Sequence, residues 1–249
     1  MIENLYGRHA VHEALRAGRR RFYKLILGAN VKETGLIQDI VHLASKARCQ
    51  IQRVEKQRLD RALPGVRHQG VLLETGVYPY VPLETMLETA EVLQEPPLML
   101  LLDHLEDPQN LATLLRTAEA MGVQGVVIPQ RRAAGVTPAV VNASAGAVEH
   151  LSVARVNNMS RSIDALKKGG LWVAGLEDRP DAQALARCDL TGPLAIVVGA
   201  EGKGLSRLVR EKCDWLIRIP MMGRIQSLNA AVAGSVVLVA ARTAREIGS

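Results

Sequence analysis

The chain has 249 residues, 48% hydrophobic and 22% charged, which is enough for one large or two modest domains with buried cores. Aromatics make up only 3%, which speaks against RNA reading by a sheet of stacked rings, and the three cysteines (Cys49, Cys188, Cys213) lie far apart without a Cys-x-x-Cys pair. That spacing speaks against a zinc site or a disulfide framework, so no metal is expected, and it fits a reducing cytosol. The net charge of +6 is unevenly placed: residues 1–78 hold 14 Lys and Arg against 7 acids, and the remainder holds 17 against 18. A basic first third favours a polyphosphate partner through counter-ion release. The start, MIENLYGRHAVHEAL, lacks a signal-peptide core, and the longest apolar run, about Leu228 to Ala241, is too short for a bilayer. The expectation is a cytoplasmic protein with no membrane partner.

In chain order, residues 7–17 have helical spacing and stop at Gly18. Tyr23 to Leu27 reads as a strand, Thr34 to Arg48 as a helix, Cys49 to Val54 as a strand, Lys56 to Leu63 as a short helix and Gly70 to Thr75 as a strand. Residues 1–78 therefore read as a small alternating α/β domain. Residues 79–97, punctuated by four prolines, read as a linker with an embedded acidic helix from Leu83 to Leu93. From residue 98 to 249 the alternation resumes. Strands are expected at Leu98–Leu102, Gly125–Ile128, Leu151–Val156, Leu171–Leu176, Leu194–Val198 and Trp215–Ile219. Helices are expected at 108–121, 138–148, 159–168, 205–212 and 228–241, with Asp107 capping the first and Ser227 the last. Strands alternating with helices imply a parallel sheet covered on both faces.

Two glycine-bearing loops follow apolar strands near the C-terminus: VVGAEGKGLSR from Val197, and IPMMGRIQSLNAAVAG from Ile219. Such loops let a ligand approach the backbone, and neighbouring strand ends make the crevice where open α/β sheets bind ligands. The first is not a P-loop, because only Ala200 and Glu201 separate Gly199 from Gly202. Nor is it a dinucleotide fingerprint, since Arg207 stands where the third glycine belongs.

Together with Asp107-Pro108-x-Asn110…Arg116, the Gly-x-Glu-Gly-x-Gly loop at 199–204 and Ile219-Pro220-Met221…Ser227-Leu228-Asn229 resemble the SpoU/TrmH family of RNA ribose 2′-O-methyltransferases, of the SPOUT class, and within it the type acting on guanosine in 23S rRNA. The likeness extends over nearly the whole chain, including Tyr6 to Val11 and His68-Gln69-Gly70. Ala112 and Ala230 depart from the residues common there without losing small or apolar character. The resemblance implies a ribosomal-protein-like substrate-binding domain at 1–78, a methyltransferase domain with a trefoil knot at 98–249, and a homodimer. It implies S-adenosyl-L-methionine held by main chain at Gly199, Ile219 and Leu228, with Met221 and Ser144 nearby, and it places Asn110, Arg116, Glu201, Ser227 and Asn229 at the active site. On residue type alone, Ile219, Met221 and Leu228 read better as core. A tRNA substrate and an inactive RNA-binding module of the same fold are the alternatives. Asn110 and Arg116 lie six apart on one helix, about 120° around its axis. A guanidinium with pKa above about 12 is no free base, so Arg116 reads as a holder of hydroxyl and phosphate.

Overall fold

A computed structural model describes residues 1–91 and 95–247. In chain order its elements are β1 (Ile2–Tyr6), α1 (Arg8–Ala17), β2 (Phe22–Gly28), α2 (Leu36–Lys46), β3 (Gln50–Val54), α3 (Lys56–Ala62), β4 (Val71–Gly76), α4 (Leu83–Glu91), β5 (Leu98–Asp103), α5 (Pro108–Ala120), β6 (Gly125–Pro129) and α6 (Pro138–Ala143). There follow β7 (Val153–Val156), α7 (Met159–Lys168), β8 (Trp172–Leu176), β9 (Gln183–Ala184), β10 (Leu194–Gly199), α8 (Arg207–Lys212), β11 (Trp215–Arg218) and α9 (Ala230–Ile247). The chain forms two compact units, one of residues 1–79 with 136–150, the other of 80–135 with 151–249. The sequence reading divides the chain at 79–97 and keeps 136–150 with the C-terminal part. The end of its acidic helix, residues 92–93, lies outside the described residues.

The first unit carries a mixed four-stranded sheet in the order β1-β4-β2-β3, parallel only between β2 and β3. Strand β1 has no counterpart in the sequence reading; Ile2 and Glu3 alternate too weakly to announce it, and pairing with β4 makes it. The helix expected over 138–148 breaks after Ala143, where Ala145 and Gly146 both take left-handed backbone (φ +55° and +87°). A side chain at Gly146 would meet Glu13 Cβ at 2.6 Å, so only glycine lets α1 pack this closely.

Arg20, 5% exposed, is the unit's buried ion. Its Nε and Nη2 donate to the fully buried Glu149 carboxylate (2.7–3.0 Å), and its Nη1 donates to Glu3 (2.5 Å) and the Gly76 carbonyl (3.1 Å). Both charges are out of water, so deleting one strands the other. Glu149→Ala is expected to cost about 3–5 kcal/mol and to lower the first unit's melting temperature by at least about 12 °C in calorimetry. Replacing Arg20 by Met in the same chain should recover most of that loss.

The second unit is a seven-stranded sheet ordered β7-β6-β5-β10-β8-β11-β9, every pair parallel. All six residues of β5 and of β10 are buried, as continuous apolar runs in a doubly covered sheet should be. Successive side chains go to opposite faces. Met99, Leu101, Ala195 and Val197 pack with residues of α4, α7 and α8. On the other face Gly234 of α9 comes so near that an added Cβ would touch Leu114 of α5 at 2.6 Å and Val198 of β10 at 3.0 Å.

Candidate active site

Four neighbouring strands, β5, β10, β8 and β11, deliver Asp103, Gly199, Glu177 and Ile219 at their carboxyl ends, where parallel sheets bind ligands. Asp103 and Gly199 are register partners. Beyond Gly199 the chain turns sharply: Ala200 and Gly204 exchange backbone hydrogen bonds of 3.1 and 2.9 Å, with Gly202 and Gly204 left-handed (φ +73° and +65°). A Cβ on Gly199 would lie 2.3 Å from the Gly204 carbonyl carbon, so any side chain there forces the turn open. The exit of the turn is pinned twice. Asp103, 1% exposed, accepts the Ser206 N–H at 2.7 Å, and Arg210 clasps Glu177 through two bonds of 2.5 and 2.8 Å while donating to the Leu205 carbonyl.

This loop and the segment 219–229 enclose a cavity of about 540 Å³, within the range of small-molecule sites. Gly199, Ile219, Met221, Ser227, Leu228 and Asn229 all line it. Ser144 does not: it belongs to the first unit, is fully buried, and donates its hydroxyl to the Val141 carbonyl.

At the cavity edge three side chains from distant stretches close a ring. Glu201 Oε1 accepts from Asn229 Nδ2 at 2.6 Å, and Glu201 Oε2 accepts from Asn110 Nδ2 at 3.1 Å. Asn229 Nδ2 also donates to Asn110 Oδ1 at 3.0 Å. Asp107 caps α5 as expected, accepting from the Gln109 N–H, and so fixes Asn110 one residue further on. Ser227 is not the cap of the last helix. Asn229 is, its Oδ1 accepting from the N–H groups of Ala231 and Val232, and the helix begins at Ala230, two residues later than a Ser227 cap would place it. The Asn229 carboxamide thus ties helix start and carboxylate together, and with Asn110 it holds Glu201 with both oxygens engaged and lone pairs to spare for a further donor.

Arg116 lies on α5 but is exposed and lines neither this cavity nor the adjoining one. That second cavity, about 430 Å³, shares Glu201 and Lys203 with the first and adds Asn110, His104 and Arg132. The sequence reading misses Asp103, His104 and Glu177. Their position at the carboxyl ends of predicted central strands is the signal that could have found them. No group of three or more His, Cys, Asp or Glu side chains suited to a metal occurs among the described residues. Burial pushes the Cys213 thiol up to about 12, so it stays protonated and poorly nucleophilic at neutral pH.

Residues 97–239 match the SpoU rRNA methylase family, and residues 5–81 match the RNA 2′-O ribose methyltransferase substrate-binding domain. The chain belongs to the SpoU rRNA methylase family, and it is an RNA methyltransferase of the TrmH/SpoU type. Among its relatives is YacO of Bacillus subtilis, assigned to the TrmH family of tRNA/rRNA methyltransferases, 44% identical over 93% of this chain and 92% of that protein. A Staphylococcus aureus protein with the same family assignment is 42% identical over 94% of this chain and 93% of its own. The SpoU methyltransferase AviRb from Streptomyces viridochromogenes, crystallised with the cofactor AdoMet, shares the fold with a TM-score of 0.81 at 23% identity, covering 100% of this chain and 92% of that one.

Proposed function

We propose that this chain methylates the 2′-hydroxyl of a guanosine ribose in 23S rRNA, using S-adenosyl-L-methionine and working as a cytoplasmic homodimer. The observation that carries the reading is the Asn110–Glu201–Asn229 ring at the mouth of a cavity bounded by the turn at Gly199–Gly204. The matching family is described as an rRNA methylase family, which supports an rRNA substrate, and the relatives' tRNA/rRNA assignment keeps tRNA as the second reading. No helix among the described residues is long and apolar enough to cross a membrane.

The residues fit the methyl donor. Gly199 to Gly204 offer backbone to a flat adenosine, Ile219, Met221 and Leu228 offer apolar contact, and Glu177, Asp178 and Glu201 line the cavity with carboxylates suited to a cationic ligand. When bound, S-adenosyl-L-methionine supplies a methyl group on a positively charged sulfur. The chain's part is to hold and orient. Glu201, fixed by the two asparagines, positions a donor beside the cavity, and a guanidinium is the donor that suits a carboxylate in two-oxygen geometry. Arg116 would be that group, holding the ribose hydroxyl and its phosphate while phosphate or water accepts the proton. Since Arg116 lines neither cavity of its own chain, a second copy would supply it.

The surface of α9 supports that second copy. Val232, Val236 and Val239 share one helical face and, with Leu228, are 38–46% exposed, and the preceding segment exposes Ile225 (77%) and Met222 (96%). The small residues Gly234 and Ala241 of the same helix are buried within the unit and take no part in that face. Sedimentation at micromolar concentration should give a dimer for the natural chain and a monomer for Val236→Glu; a monomer for both would contradict the assembly.

Donor binding tests the cavity directly. Gly199→Ala, the smallest change, should abolish calorimetric binding of S-adenosyl-L-methionine by opening the turn. Gly202→Ala, whose Cβ meets nothing within 4 Å, should retain it despite some backbone strain. Unchanged affinity in a folded Gly199→Ala protein would remove this cavity as the donor site.

A further inference from the structure

A cavity of about 810 Å³ lies in the first unit, lined by Arg8, Asn30, Lys56, Asp60, Arg67 and His68 among others. We infer that it receives one unpaired guanosine of the RNA, with the phosphate on Arg8, Lys56 and Arg67 and the Watson–Crick edge of the base on Asp60. This rests on the reading of the chain as an RNA methyltransferase and names a substrate feature which that reading leaves open.

The cavity is built from fixed backbone. The Gly28 N–H donates to the Gly70 carbonyl at 2.9 Å, and the Ala29 N–H to the Val54 carbonyl at 2.7 Å. Gln69 and Gly70 are both left-handed (φ +55° and +78°), and a Cβ on Gly70 would strike Val31 Cγ2 at 2.4 Å, so this wall tolerates no other residue at 70. His68, 6% exposed, has both ring nitrogens engaged. Its Nδ1 accepts the Gly70 N–H at 3.0 Å, which places the proton on Nε2, and Nε2–H donates to Asp60 Oδ1 at 2.8 Å. That bond is the main cause holding the Asp60 carboxyl below its ordinary range, so it is an anion at neutral pH. Asp60 Oδ2 accepts no bond among the described residues.

The charges then specify the ligand. Arg8, Lys56 and Arg67 are exposed at the cavity, and Arg8 is held by Gln69, its backbone N–H donating to Gln69 Oε1 at 3.0 Å and its Nε to the Gln69 carbonyl at 3.4 Å. Three cations attract a phosphate, whereas a fixed carboxylate repels it and calls for N–H donors. A nucleotide carries both. Of the four bases only guanine presents two adjacent N–H donors, N1–H and the N2 amino group, to one carboxylate, and unpaired RNA bases expose that edge.

The test uses the full chain. In amide-detected NMR titrations, GMP should shift Gly28, Asn30 and Gly70 and bind about tenfold more tightly than AMP, CMP or UMP. Asp60→Asn, which keeps size and fold, should erase that preference, and Lys56→Ala should weaken all four nucleotides alike. In anisotropy measurements, an RNA hairpin with a single bulged G should bind about tenfold more tightly than one with a bulged A. Equal binding of the four nucleotides, or no movement of these amides at millimolar GMP, overturns the site. Binding of GMP without preference for the bulged-G hairpin overturns its assignment to RNA. Methyl transfer run in parallel separates the two readings: active enzyme without base preference sinks the guanosine site, whereas base preference without any transfer supports the site and sinks the catalytic reading.

Discussion

Glu201→Gln is expected to slow single-turnover methyl transfer about 10²–10³-fold, the scale of losing one preorganised polar contact to the reacting groups. The reason is geometric. Both carboxylate oxygens accept an asparagine N–H, so a glutamine amide must turn one N–H toward another. One bond is lost and the carboxylate charge that would hold a guanidinium goes with it. The residue is exposed, so stability should change little, and donor affinity should fall far less than the rate. If the variant transfers methyl groups at the natural rate with RNA in excess, the ring is only a structural cap for α9.

Arg116 should show the second large effect, and its lysine variant is the informative one. Lysine keeps the charge but loses the planar fork that can hold two oxygens at once. Arg116→Lys should bind S-adenosyl-L-methionine normally and transfer slowly, and Arg116→Ala should be slower still, about 10²–10³-fold below the natural chain. Were Arg116 merely a phosphate anchor on a solvated helix face, lysine would substitute well and the alanine variant would recover its rate at saturating RNA. Because Arg116 lines neither cavity of its own chain, an equimolar mixture of Arg116→Ala and Glu201→Gln should regain activity through mixed dimers that contain one complete site. Failure to regain it would place both groups in the same chain's site.

Much of this architecture is written in local pattern. The run Leu98 to Leu102 is uniformly apolar because β5 is covered on both faces, and Asp107-Pro108 marks the start of α5 by capping chemistry alone. The two loops of the cavity are equally local, since glycines and a preceding strand identify them. What escaped is what tertiary contacts decide. Ser227 and Asn229 are both good caps two residues apart, and the choice falls on Asn229 because its amide also reaches Asn110 and Glu201, 119 and 28 residues away. The end of α6 is set by how closely Gly146 lets α1 approach, which no periodicity encodes. Helical spacing puts Arg116 on α5 without revealing that it lines neither cavity of its own chain.

The most direct measurement is to map ribose methylation on 23S rRNA and tRNA incubated with the purified protein and S-adenosyl-L-methionine. A new 2′-O-methyl group on one guanosine of 23S rRNA, absent with Glu201→Gln, is the predicted result. Methylation on a base instead of a ribose, or none on either RNA with a donor-binding protein, would contradict it.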